Sequence, residues 1–163
     1  MHIVNIIKNT NGDSRVADHV PSIREFERAN YLHIEDVKNL IDIFCQGLRE
    51  RSSEHDWSKV KEPYKSMFYR DLCNTISGVS KFEDGEWHRL HYEELERHHL
   101  QKKVPDDVDL FDVIEMLCDC VAAGMARSGE VYDVEIDPEI LVKAVANTVE
   151  QLKSSVHIME DKE

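Results

Sequence analysis

Residues 109–127 read DLFDVIEMLCDCVAAGMAR. The run is strongly apolar, holds no proline, and is too long for a strand, so it predicts a helix. Two acids interrupt it further along, Glu115 and Asp119, four residues apart and therefore on one helix face. A carboxylate on an apolar helix needs a cation, a metal or a hydrogen bond. For Asp119 the ordinary partner would be Arg51, Arg70 or Arg127.

Outward from this helix the rest of the chain also reads as helices. Pro105-Asp106-Asp107 makes a turn before it and supplies a capping acid. Beyond it, Asp137 as N-cap and Pro138 at the first helical position open a last helix, with Ile140, Leu141, Ala144, Val145, Thr148 and Leu152 as its core stripe. Upstream, Trp87 to Leu100 predicts a helix that places His91, Leu95 and His98 on one face. Residues 63–77 predict another, with Pro63 near its first turn, and Gly78 to Gly85 a loop. Ile34, Val37, Ile41, Phe44 and Leu48 mark an amphipathic helix over Ile34–Arg51, with His33 at its start and facing the core. Ser22 and Glu25 form a capping box that opens a first helix over about 22–31. Residues 1–8 read as a short strand or extended arm, ended by the turn Asn11-Gly12-Asp13, and the tail after Ser154 reads as frayed. The expected architecture is all-α: one helical bundle over 1–163, with its core at about 22–153, an arm at 1–21 and a tail at 154–163.

Composition narrows the function. Of 163 residues 41% are hydrophobic and 33% charged, as in a folded globular domain rather than a disordered chain. Six Gly and four Pro punctuate it sparsely, which argues against a many-stranded β fold. The net charge of −13 repels a phosphate polymer and argues against duplex nucleic acid. No stretch approaches a membrane span or a secretory leader, so a cytoplasmic protein, bacterial or in an infected host cell, is expected. The four cysteines, 45, 73, 118 and 120, include no C-x-x-C pair and read as buried free thiols.

The chemistry-bearing residues fall in the order His33, His55-Asp56, His91, His98-His99, Asp119, and five of the nine histidines lie among them. Imidazole and carboxylate are the ligand set of a catalytic divalent metal. His33, His55, Asp56 and Asp119 would supply one ion; His91 with His98 or His99 would serve a second, and Asp56, with two acceptor oxygens, could bridge the pair. Manganese, iron, cobalt, nickel and zinc all suit such ligands. Lys59, one turn beyond Asp56, could bind a phosphate as a point charge, and Glu115 could be a general base or could orient a histidine. Each residue also has an ordinary reading: His33 as a core histidine, His98-His99 as part of a solvated face, Lys59 as a surface lysine.

The order of these residues resembles that of the HD-domain metal-dependent phosphohydrolase superfamily, helical proteins named for their His-Asp doublet. More narrowly, HDWSK at 55–59, LHYEELERHH at 90–99 and DVIEMLCDCVAAG at 112–124 are similar to an uncharacterised bacterial and phage family with HD-x-S-K and His-His motifs. The resemblance covers about residues 30–130. It implies an HD-like fold, His33, His55, Asp56 and Asp119 as ligands of the core metal, and His91 with His98 or His99 at a second. It also implies a small phosphorylated substrate, a nucleotide being the expected one. No G-Y-P follows His98-His99, unlike the cyclic-di-GMP branch, and only Arg89 and Arg97 accompany the second cluster, which favours a monophosphate or diester over a triphosphate. The expected function is therefore hydrolysis of a nucleotide or related phosphate ester by a metal-activated water, and a homo-oligomer is compatible with it. The alternative is a non-catalytic acidic helical module, binding a partner protein or sensing a nucleotide through a degenerate HD site.

Overall fold

The computed structural model describes residues 3–8, 11–13 and 15–161. It is mostly helical. The elements are strand β1 (Val4–Lys8), helices α1 (Ile23–Glu54), α2 (Tyr64–Ile76), α3 (Glu86–Leu90), α4 (Leu110–Ser128) and α5 (Pro138–Ser154), and strand β2 (Val156–Glu160). Short 3-10 turns cover Trp57–Lys59 and Phe82–Asp84, and one π turn covers His91–Leu95. No helix among the described residues is long and apolar enough to cross a membrane. The chain divides into two compact units, one of residues 1–47 and 149–163 and one of Leu48–Thr148.

In the first unit β1 and β2 pair in parallel, Val4 opposite Val156 and Lys8 opposite Glu160. The expected short N-terminal strand is present; the expected frayed tail is instead its partner. Val156-His157-Ile158 has the β-branched and alternating character a strand needs, and the end of α5 delivers it directly, with Val4 N–H donating to Ser155 O at 2.8 Å. Asp161 then closes on Arg28 of α1, with Arg28 Nη2 donating to Asp161 Oδ1 at 2.8 Å. The Asn11-Gly12-Asp13 turn lies directly on α1: a Cβ at Gly12 would come within 2.3 Å of Glu25 O, so only glycine fits.

The capping box is present, with Ser22 N–H donating to Glu25 Oε2 at 2.7 Å and Glu25 N–H to Ser22 Oγ at 3.3 Å. The two helices expected at 22–31 and 34–51 are one. No Gly or Pro lies between Ile23 and Gln46, and Asn30, the best local breaker, donates its side-chain amide to Phe26 O inside the helix. The expected core stripe is also overturned at its start. Ile34, Val37 and Ile41 are 58%, 42% and 55% exposed, and His33, expected to face the core, is exposed with them. Among the described residues, the other regular elements of their unit are two five-residue strands and the end of α5, which offer little apolar surface to cover that stripe.

The second unit holds the core. Leu100, Val108, Val113, Met116 and Ala144 are buried together, with Ile136 and Ile140 packed against them. Each of the larger side chains, Leu, Val or Met, contributes about 1.5–3 kcal/mol when removed from water. On α5, Ala144 and Thr148 of the expected stripe are buried, while Leu141 and Val145 stay exposed. Thr148 Oγ1 accepts from Leu110 N–H at 2.9 Å and Asn147 donates to Val108 O at 2.7 Å, which ties α5 to the start of α4. The acid capping α4 is Asp109, not Asp106 or Asp107: its Oδ1 accepts from Asp112 N–H at 3.0 Å and Asp112 Oδ2 accepts from Asp109 N–H at 3.1 Å. The four cysteines are free; Cys118 is exposed and the other three half-buried, rather than all buried.

Candidate metal centre

The site is assembled from three segments of the second unit. The first is the break after α1. Asp56 has φ 54° and ψ 29°, the left-handed region, and this is the only such non-glycine residue among those described. That conformation ends α1 and swings the chain into the turn Trp57–Lys59, so that His55 and Asp56 both face inward. Asp and Asn bear this strain best among residues with a Cβ, at about 1 kcal/mol.

The second segment is α3 with the π turn and the loop beyond it. The helix expected over Trp87–Leu100 stops at Leu95, so His98 and His99 reach the site from irregular backbone and do not share a helix face with His91. His91 is fully buried, stacked on Trp87 at 4.3 Å between ring centres, and Trp87 stacks in turn on Phe68 of α2 at 4.1 Å. Arg97 fixes the loop by gripping Asp112 with two bonds, Nε to Oδ1 at 2.9 Å and Nη2 to Oδ2 at 2.8 Å. Arg51 meets the same carboxylate at 2.8 Å. The third segment is α4, which presents Asp112, Glu115 and Asp119 at helical spacing.

These pieces converge. His55 Nε2 lies 3.4 Å from Asp56 Oδ2 and 3.7 Å from Asp119 Oδ1. His91 Nε2 lies 3.4 Å from Asp56 Oδ1 and 2.9 Å from His99 Nε2. His98 Nε2 lies 3.9 Å from Asp56 Oδ1 and 4.0 Å from Asp119 Oδ2. Ligand atoms bound at about 2.0–2.2 Å around one ion are separated by distances of this size. Four overlapping groups of three satisfy this mutual closeness: Asp56-His91-His99, His55-Asp56-Asp119, His98-His99-Asp119 and His55-His98-Glu115. Asp56 faces His55 with one oxygen and His91 and His98 with the other, the disposition a bridging carboxylate needs.

An independent sign comes from hydrogen bonding. Asp56 Oδ1 and both ring nitrogens of His98 are buried without a hydrogen-bond partner. Each such group costs about 1–3 kcal/mol, and a cation bound between Asp56 Oδ1 and His98 Nε2 would remove the penalty at those two atoms, while His98 Nδ1 faces Glu115. The residues present therefore fit a divalent ion. None of the arginines expected to neutralise Asp119 reaches it among the described contacts: Arg51 serves Asp112, Arg70 serves Glu86, and Arg127 donates to Tyr132.

The surrounding groups aim the ligands. Glu115 Oε1 stands 2.9 Å from His55 Nδ1 and 3.1 Å from His98 Nδ1, the second out of line for a hydrogen bond, so both rings turn their Nε2 atoms toward Asp56 and Asp119. Ser58 Oγ, fully buried, meets His91 Nδ1 at 2.8 Å and leaves Nε2 facing the site. Glu96 Oε1 accepts from Ser58 N–H at 3.1 Å. Burial, and then the neighbouring imidazoles, hold His99 neutral with its pKa near 3. Burial does the same to His91, also to about 3, against the pull of Asp56. Neutral imidazole is the form that binds a metal. For His98 burial opposes charge, but Glu115, Asp56 and Asp119 outweigh it and raise the pKa. For Asp56 burial is outweighed by Lys59, His55 and His91, and the carboxyl sits below its usual range.

Sequence reading and structure differ here at several residues. His33 belongs to none of the four groups; it is exposed on α1 in the first unit, with Asp13 and Asp36 in its field. The sequence reading does not single out Ser58 or Glu96, and it offers Arg51 only as a salt-bridge partner of Asp119, whereas Arg51 meets Asp112 and Glu115. Arg97 was weighed only as a substrate-binding cation, yet its charge is spent on Asp112 and Asp107, as that of Arg89 is on Glu94. Lys59 Nζ is held against Asp56 Oδ2 at the edge of the site, one-third exposed.

The model of a family of unknown function (DUF5662) matches residues 22–161, and the chain belongs to that family. No curated protein matches, and no solved structure matches.

Proposed function

We propose that this member of a family without an assigned activity is a metal-dependent phosphohydrolase with an HD-like arrangement, acting on a nucleotide or related phosphate ester. The observation that carries the reading is the convergence of His55, Asp56, His91, His98, His99 and Asp119 around buried acceptor atoms that lack any hydrogen-bond partner. Those six residues would hold one or two divalent ions. Bound there, such an ion supplies Lewis acidity toward a phosphoryl oxygen and a water made nucleophilic near neutral pH. Lys59, at the exposed edge, is placed to bind a phosphate oxygen once it leaves Asp56. Glu115, only 10% exposed and occupied by His55, His98 and Arg51, is a positioning residue rather than a general base.

Elemental analysis of the purified protein, beside the His55→Ala/Asp56→Ala variant, tests this. One or two equivalents of manganese, iron, cobalt, nickel or zinc are expected in the wild type and none in the variant, with metal-dependent turnover of phosphomonoesters or diesters. Absence of metal after reconstitution with manganese, iron or zinc would sink the proposal. Metal without turnover on any ester would favour a nucleotide-sensing module instead.

A further inference from the structure

Beside the candidate centre, between the end of α1 and the outer face of α4, lies a cavity of about 400 Å³. Two helical stripes make its walls. Leu48, Arg51 and His55 stand at i, i+3 and i+7 on and just beyond α1; Phe111, Ile114, Cys118 and Ala122 repeat at three- and four-residue spacing on α4. His55 and Asp119 line it too, so the cavity opens onto two of the groups assigned to the metal.

Its chemistry is one-sided. Among the described residues the one cation of the lining is Arg51, already held by Asp112 at 2.8 Å and by Glu115 at 3.7 Å. The other charged or titratable groups of the described lining are Glu115, Asp119 and His55, all committed to the centre, and the free thiol of Cys118 at the rim. A second phosphate or a carboxylate on the substrate would meet no free positive charge there and two negative ones. An apolar ring would meet Leu48, Phe111 and Ile114. The volume falls within the range of small-molecule sites.

Resting on the phosphohydrolase reading, we propose that this cavity receives the uncharged, ring-bearing half of a phosphate monoester, whose single phosphate lies at the metal centre. The substrate class is thus a monophosphate of an aromatic or heteroaromatic group, not a polyphosphate or a small polar ester.

Binding of two hydrolysis-resistant probes tests this without turnover. Phenylphosphonate and methylphosphonate are titrated calorimetrically into manganese-loaded protein. Phenylphosphonate should bind at least tenfold more tightly. Ala122→Trp and Cys118→Trp, both at the exposed rim, should each erase most of that preference while metal content stays at the wild-type level. Equal affinities in metal-loaded wild type would overturn the subsite and leave the centre standing, as would a preference that both tryptophan variants retain. A phenyl preference in a protein that turns over no ester would support the subsite and count against the hydrolase reading alone.

Discussion

Asp56 combines two local costs. Its backbone is left-handed, and one of its oxygens is buried without a partner. Both features cost stability in the metal-free protein, and both place a carboxylate between His55 and His91. Asp56→Gly should therefore melt at or above the wild-type temperature without metal, gaining about 1 kcal/mol from the backbone, because Lys59 can turn to water. It should also lose metal binding. A metal-free variant clearly less stable than wild type would show that the Lys59 ion pair outweighs the strain. Ser58 makes the complementary case: its hydroxyl meets His91 Nδ1 and so holds the ring with Nε2 toward the site. Ser58→Ala should keep the fold and weaken metal affinity by about 10–100-fold, the usual effect of losing an outer partner of a ligating histidine. Competition against a chelating dye reads this out, and unchanged affinity would exclude the role. The ligand residues were legible because imidazole and carboxylate on an apolar background have few other uses. Ser58 and Glu96 were not, since a serine and a glutamate in a polar stretch carry no sign of the burial that gives them meaning.

At the scale of elements, the buried carboxylate of Asp112 joins three segments: the end of α1 through Arg51, the 96–99 loop through Arg97, and its own helix cap through Asp109 N–H. Asp112→Ala should lower stability by about 3 kcal/mol, the low end for breaking a buried pair, because both arginines are partly exposed and can hydrate. Chemical denaturation measures it, and a loss below 1 kcal/mol would mean that apolar packing alone holds the loop. The boundaries of α2, α4 and α5 were readable from Pro63, the apolar run and Asp137-Pro138. Two features were not. The junction of the two expected helices near residue 32 vanished because a change of apolar phase is not a chain break when no Gly or Pro stands there. The end of the helix after Leu95 was missed because it has no breaker residue either. The π turn stops there because Arg97 is drawn to Asp112 and Glu96 to Ser58, contacts distant in sequence.

For the molecule as a whole, the division into two units matters more than the helical class. Every group of the candidate centre lies between Leu48 and Thr148, while β1, β2 and most of α1 belong to the other unit. The expectation of a single bundle over 1–163 rests on a chain length typical of one domain, and length carries no sign of such a division. A ligand stabilises the part of a protein whose opening destroys its site. Manganese at 100 times its dissociation constant should add about 2.7 kcal/mol to that part. Amide exchange in the core of α4 and in the buried segment around His91 should slow about 100-fold, whereas the amides of β1 and β2 should exchange as in the metal-free protein. Chelation should reverse the effect. Equal slowing in both units would mean that the chain opens only as one cooperative whole, and the strands of the first unit would then report metal binding as faithfully as its ligands do.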